Sequence, residues 1–167
     1  MIKRIIFLDI DGVLNRHELQ ASGYAGMLPE CVQSLNRIID ATDADIIISS
    51  AWRYLIEPSC MTIKGFICLM QSHGVKTWSD EKQRHRVIAR TRDDSKDHHS
   101  DYIRDERGEQ ILEWIEQNDH VMSRIVVIDD LDLGISQTCL PFVQTVGSAG
   151  LTDQDAVKVI NILKGVV

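Results

Sequence analysis

Four places in the chain carry side chains suited to chemistry on a charged substrate. Asp9 and Asp11 stand two residues apart, with Gly12 next, directly after the apolar run Ile5-Ile6-Phe7-Leu8. Asp129 and Asp130 follow a second apolar run at 125–128, and Asp132 comes two residues later. Crowded carboxylates repel, so such groups share a proton or gather around a cation. Each pair alone also fits a charged loop or turn. Two acid groups at the ends of two buried runs point instead to one shared site, where three or four carboxylates need a divalent ion. Hard oxygen donors with no His or Cys nearby favour magnesium over zinc. The third place is Ser49, at the end of Ile46-Ile47-Ile48. Its hydroxyl and the backbone N–H groups after it can donate to a phosphate oxygen, and Arg53 can add a charge-assisted contact. Ser49 equally reads as a helix N-cap, and the two roles are compatible because a helix N-terminus attracts anions. The fourth is Arg107, whose forked guanidinium matches phosphate oxygens, although it also reads as a surface residue beside Glu106 and Glu109.

These residues need a frame that brings strand ends together. Residues 3–8 (apolar from Ile5), 46–48 and 125–128 are apolar runs rich in β-branched residues, which predicts buried strands. A weaker strand is expected at 142–146 and a short one at 75–78. Pro29 opens a helical pattern with Val32, Leu35, Ile38 and Ile39 on one face. Further helices are expected near 66–73, stopped by Gly74, from Arg107 to Gln117, and after Thr152 with Ala156, Val159, Ile160 and Leu163 inward. Strand and helix alternate, which predicts an α/β fold: a three-layer, Rossmann-like parallel sheet with helices on both faces. Ligands of such sheets bind beyond the carboxyl ends of the strands. Asp9, Ser49 and Asp129-Asp130 stand at those ends.

The length of 167 residues suits one domain, 1–167, and 44% apolar residues can supply its core. Residues 79–106 differ in composition, with fifteen charged residues and one clear apolar pair, Val87-Ile88. They are expected to form a polar, cap-like insertion. Its Arg84, Arg86, Arg90, Arg92, Lys96 and Arg104 are interleaved with acids, so it reads as a solvated mixed-charge loop more readily than as a groove for a phosphodiester backbone. The net charge of −7, from 18 basic and 25 acidic residues, argues against nucleic acid or an anionic membrane held by bulk electrostatics. Cys31, Cys60, Cys68 and Cys139 are scattered and read as reduced thiols. The apolar run after Met1 stops at Asp9, too soon for a leader, and no stretch approaches the roughly 20 apolar residues of a membrane span. A cytoplasmic protein is expected; the sequence leaves its oligomeric state open.

The segments Asp9-Ile10-Asp11-Gly12-Val13-Leu14-Asn15, Ser49 after its strand, Arg107, and Val127-Ile128-Asp129-Asp130 occur in the order of the four motifs of the haloacid dehalogenase (HAD) superfamily, which this chain resembles. Ser49-Ser50-Ala51-Trp52-Arg53, Val87-Ile88 with Thr91, Arg107-Gly108-Glu109-Gln110-Ile111 with Trp114, and Gly150-Leu151-Thr152 look like the small HAD domains of the Swiss Army Knife RNA-repair type. The resemblance implies a phosphohydrolase. Asp9 would attack phosphorus to give an aspartyl-phosphate, and Asp11 would serve as general acid and then base. Mg2+ would be held by Asp9, the Asp11 carbonyl and Asp130, with Asp129 assisting. Ser49 and Arg107 would bind phosphoryl oxygens, and Gly12, Asn15, Ser50 and Arg53 would line the substrate side. Arg107 departs from the usual lysine, with Arg90 and Lys96 as competitors for its role, and Ser49 from the usual threonine. The small cap implied by this reading goes with open sites and large substrates, so the expected partner is a phosphorylated substrate such as a nucleotide or a nucleic-acid end. A small-metabolite phosphatase and a non-catalytic metal-binding module are the alternatives.

Overall fold

The structure, a computed structural model, describes residues 3–18, 26–56, 61–91, 106–118 and 123–166. In chain order it runs β1 (Arg4–Leu8), α1 (Pro29–Thr42), β2 (Asp45–Ile48), a 3-10 turn (Ala51–Leu55), α2 (Ile63–Ser72), β3 (Trp78–Ser79), β4 (Arg84–His85) and β5 (Val87–Arg90). It continues with α3 (Arg107–Gln117), β6 (Arg124–Asp129), a second 3-10 turn (Ile135–Thr138), β7 (Phe142–Gln144) and α4 (Asp153–Lys164).

Five strands form one sheet in the order β5-β2-β1-β6-β7, and every pairing is parallel. Side chains alternate between its faces. Ile6, Leu8, Ile46, Ile48, Val126 and Ile128 pack with the apolar faces of α1, α2 and α4. Ile5, Phe7, Ile47, Ile125 and Val127 pack against Ile111, Trp114 and Ile115 of α3. Phe7 meets Trp114 edge to face, with ring centroids 5.6 Å apart. Both faces are thus covered, which is why the strands tolerate no polar alternation. This is the three-layer α/β architecture that the sequence pattern predicts.

The helix ends follow local chemistry. Pro29 stands at the first turn of α1, where its missing N–H costs nothing. Thr152 and Asp155 form a reciprocal capping box at α4. Helix α2 begins before the expected residue 66, because Thr62 Oγ1 accepts from Gly65 N at 3.2 Å and caps it there. The strand expected at 142–146 ends at Gln144.

Residues 79–91 depart from the expected solvated insertion. The strand expected at 75–78 is displaced to Trp78–Ser79, which pairs antiparallel with Arg84–His85. The chain then enters the sheet as β5, where buried Val87 lies beside Ile46. The charges that marked this stretch as polar are used at once: Lys82, Arg84 and Arg86 pair with Asp43 and Asp45 at the start of β2. The remainder of that segment, 92–105, and Cys60 lie outside the described residues. Cys31, Cys68 and Cys139 are free thiols. Among the described residues, no helix is long and apolar enough to cross a membrane.

Candidate active site

The sheet register delivers the site. Ala89, Ile47, Phe7 and Val127 lie side by side across β5, β2, β1 and β6, on the face covered by α3. Two residues further along each strand, the same face reaches the carboxyl rim with Thr91, Ser49, Asp9 and Asp129. Backbone bonds extend the ladder to this row: Thr91 N to Ile48 O at 3.0 Å, Ser49 N to Leu8 O at 2.9 Å, and Asp9 N to Ile128 O at 3.0 Å. The chain leaves β1 toward β2 on one side and later returns as β6 on the other. Asp9 and Asp129 flank that switch point, where open α/β sheets bind ligands.

Carboxylate oxygens of Asp9, Asp129 and Asp130 lie within 4.8 Å of one another, and all three residues are buried. Arg107 reaches into the cluster. Its guanidinium bonds the Asp129 carboxylate and stands 3.5 Å from Asp9 Oδ2. His17 Nε2 stands 2.9 Å from Asp130 Oδ2. Burial raises the Asp9 pKa to about 7, the negative charge of Asp129 adds to the rise, and Arg107 and a hydrogen bond from Ser50 oppose it. Burial likewise carries Asp129 to about 6, against the charge and hydrogen bond of Arg107. Asp130 is also raised, chiefly by burial. The cluster is therefore short of positive charge. Its donors are hard oxygens, which fits Mg2+.

The turn after β1 shapes the other side. Ile10 O accepts from Val13, Leu14 and Asn15 N–H groups, and Gly12 turns at φ +71°. A Cβ at Gly12 would lie 2.4 Å from Asp130 Cγ, so the absent side chain is what lets the turn rest on that carboxylate. Thr145 Oγ1, beyond the end of β7, donates to Gly12 O at 2.8 Å. Asn15 is fully buried; its Oδ1 accepts from Gly12 N at 3.0 Å and its Nδ2 donates to Asp11 Oδ1 at 2.9 Å. Trp52 Nε1 donates to the same Asp11 oxygen, also at 2.9 Å. These two bonds fix the Asp11 carboxylate outside the close group of Asp9, Asp129 and Asp130, although its charge still acts on Asp130.

Arg107 owes its place to a tight helix start. Gly108 N donates to Leu133 O at 3.2 Å, and a Cβ at Gly108 would lie 2.5 Å from Gly134 O. Only glycine lets α3 begin so close to the loop behind β6. Ser49 is fully buried, and its Oγ has no hydrogen-bond partner among the described residues. The Thr91 hydroxyl is in the same state. A buried hydroxyl left unpaired is costly, which marks both as places where a ligand oxygen would be welcome.

The expected residues divide into three groups. Asp9, Asp129 and Asp130 gather, Arg107 reaches Asp9 and Asp129, and Ser49 shares the row of Asp9 and Asp129. Asp11 borders the cluster through its loop, with Gly12 against Asp130. Asn15, Ser50 and Arg53, expected beside substrate, are all at most 1% exposed. Asn15 ties the loop together, Ser50 serves Asp9 and accepts from Trp52 N at 3.3 Å, and Arg53 lies inside the 3-10 turn. Sequence reasoning gave no role to His17, Trp52, Thr91 or Thr145. Thr91 and Thr145 follow strands, but β5 was not expected and the strand expected at 142–146 ran past Thr145, so the rule that located Ser49 missed both. The reach of His17 and Trp52 depends on loop paths that no spacing reveals. The absence of His near the acids holds along the chain, but folding brings His17 to Asp130.

A family model described as the HAD domain in Swiss Army Knife RNA repair proteins matches residues 5–156. No curated protein and no solved structure matches the chain.

Proposed function

Because the chain belongs to the family of HAD domains in Swiss Army Knife RNA repair proteins, hydrolases of the HAD superfamily, we propose that it is a magnesium-dependent phosphomonoester hydrolase acting on nucleotide or polynucleotide phosphate ends. The observation that carries this reading is the contrast between two carboxylates two residues apart. Asp9 sits in a buried acid cluster that Arg107 reaches, whereas Asp11 lies outside that close group with its carboxylate engaged by Asn15 and Trp52. The contrast supports Asp9 as the group that attacks and Asp11 as the group that moves protons.

An Asp9 oxygen forms the new bond to phosphorus while the ester P–O bond breaks. Asp11 gives its proton to the departing oxygen. Water then attacks the aspartyl-phosphate, its proton passes to Asp11, and Asp9 leaves as a carboxylate. Arg107 and Ser49 orient the phosphoryl oxygens and stabilise the charge that builds on them. Asp9, Asp129 and Asp130, with the Asp11 carbonyl, would hold Mg2+, which supplies charge neutralisation and polarises a phosphoryl oxygen. The preference for a nucleic-acid end is supported by the family description and by the short connections available for a cap.

Phosphate release from an aryl phosphate, mononucleotides, and oligonucleotides with 3′- or 5′-phosphates, each with Mg2+ and with EDTA, tests the reading. Magnesium-dependent release strongest on an oligonucleotide end is expected. Release from small phosphates alone would remove the nucleic acid and keep the chemistry. No release from any would overturn the reading.

A further inference from the structure

Both halves of the proposed reaction pass through Asp11, and one of its oxygens is doubly engaged. Oδ1 accepts from Asn15 Nδ2 and from Trp52 Nε1, each at 2.9 Å. A carboxyl oxygen offers about two good acceptor directions, so two N–H donors fill it. Oδ1 is then an acceptor only, and a proton carried by Asp11 must sit on Oδ2.

The two donors differ in what they can fix. Asn15 belongs to the same short loop as Asp11 and would move with it. Trp52 comes from a separate element, the 3-10 turn after β2. Its backbone is tied to Ser50 Oγ, its ring packs on the main core, and it meets Phe66 edge to face with centroids 6.4 Å apart. The ring cannot follow a rotating carboxyl group.

We propose that Trp52 is a positioning residue whose indole N–H locks the Asp11 carboxyl rotation, so that Oδ2 faces the leaving-group oxygen. In the step concerned, the ester P–O bond breaks, its electron pair stays on the leaving oxygen, and the Oδ2 proton goes to that oxygen. The inference rests on the acid role of Asp11 in the proposed function.

Trp52→Phe keeps an aromatic ring against Phe66 and removes the N–H. Its kcat/KM is compared with wild type on two phosphates. A nitrophenyl phosphate leaves as a stable anion and needs little help from an acid. An oligonucleotide 3′-phosphate leaves as a sugar alkoxide unless it is protonated. The expected result is a loss of about 10- to 100-fold on the oligonucleotide, below the full 10²–10⁴ of general acid–base catalysis, with less than about a threefold loss on the aryl ester and unchanged KM. Equal losses on both would make Trp52 a mere support of the fold. No loss on either would show that Asp11 is oriented without it. A wild-type protein that turns over neither substrate would overturn the phosphatase reading itself, and this inference with it. Should Trp52→Phe fail to fold, the indole N–H signals of 15N-labelled protein give a second test. Asp11→Ala should move the Trp52 signal upfield and leave those of Trp78 and Trp114 in place. An unmoved Trp52 signal would overturn the proposal.

Discussion

The sheet carries a cluster of aspartates at each end, and the two are balanced in opposite ways. At the amino end, Asp43 and Asp45 face three cations, Lys82, Arg84 and Arg86. At the carboxyl end, Asp9, Asp129 and Asp130 face Arg107 and His17. Burial alone would raise Asp43, but hydrogen bonds from Arg86 and Ser79 and the charge of Lys82 hold it below the usual carboxylate range. Burial wins at Asp9 and Asp129. The first cluster is a finished structural clasp, fastening the β3–β4 hairpin to β2. The second is left short of positive charge, which supports the cation and phosphoryl group proposed for it.

The largest effect that could break this contrast is on turnover. Asp9→Asn should lower phosphate release by roughly 10³-fold or more, because it removes the nucleophile. Its thermal midpoint without metal at pH 7 should not fall, since a poorly neutralised buried acid has been removed. A destabilised but active variant would make the carboxyl-end cluster structural as well. Next comes Gly12→Ala, whose Cβ would collide with Asp130 at a positive φ. Apparent Mg2+ affinity in the turnover assay should weaken by about 10- to 100-fold, the usual scale for disturbing what supports a metal ligand.

At the amino end the pattern should reverse. Asp45→Ala strips two cations of their shared partner and should cost about 1–3 kcal/mol in chemical denaturation, with kcat unchanged. A drop in kcat there would join the two ends. The remaining effect is on the pH dependence of the metal-free protein. A carboxyl whose folded pKa is raised stabilises below its unfolded value, and that contribution is lost as pH climbs through the folded value. Asp9 and Asp129 therefore predict falling stability from about pH 4 to about 7, by linkage. Asp43 and Asp155, lowered, contribute in the opposite sense and only in more acid solution. Melts in EDTA from pH 5 to 7.5 should decline, each kcal/mol moving the midpoint by about 2–4 °C, and Mg2+ should remove the decline. A flat EDTA profile would mean that the acids are already neutralised.

How far the two ends were readable in the sequence follows from their distances along the chain. Asp9, Ser49 and Asp129 announce themselves, because the first two directly follow a buried strand and the third ends one. Arg107 was readable as a basic residue at a helix start, and its helix has the expected bounds. Strand β5 was hidden, since four residues between charged neighbours give no periodicity, and only the cations' partners at Asp43 and Asp45 explain why it joins the sheet. Trp52 lies 41 residues from Asp11, and nothing in a one-dimensional pattern says where an indole N–H will point. Asn15 looked like a substrate contact because it ends the first motif, yet its amide is used to stiffen the loop.

The close seat of Gly108 on Gly134 reaches beyond geometry. It means that Arg107 is located by chain that comes after it, through the loop behind β6. A change in the loop at 131–134 would therefore be felt at the guanidinium, although no residue of that loop belongs to the acid cluster.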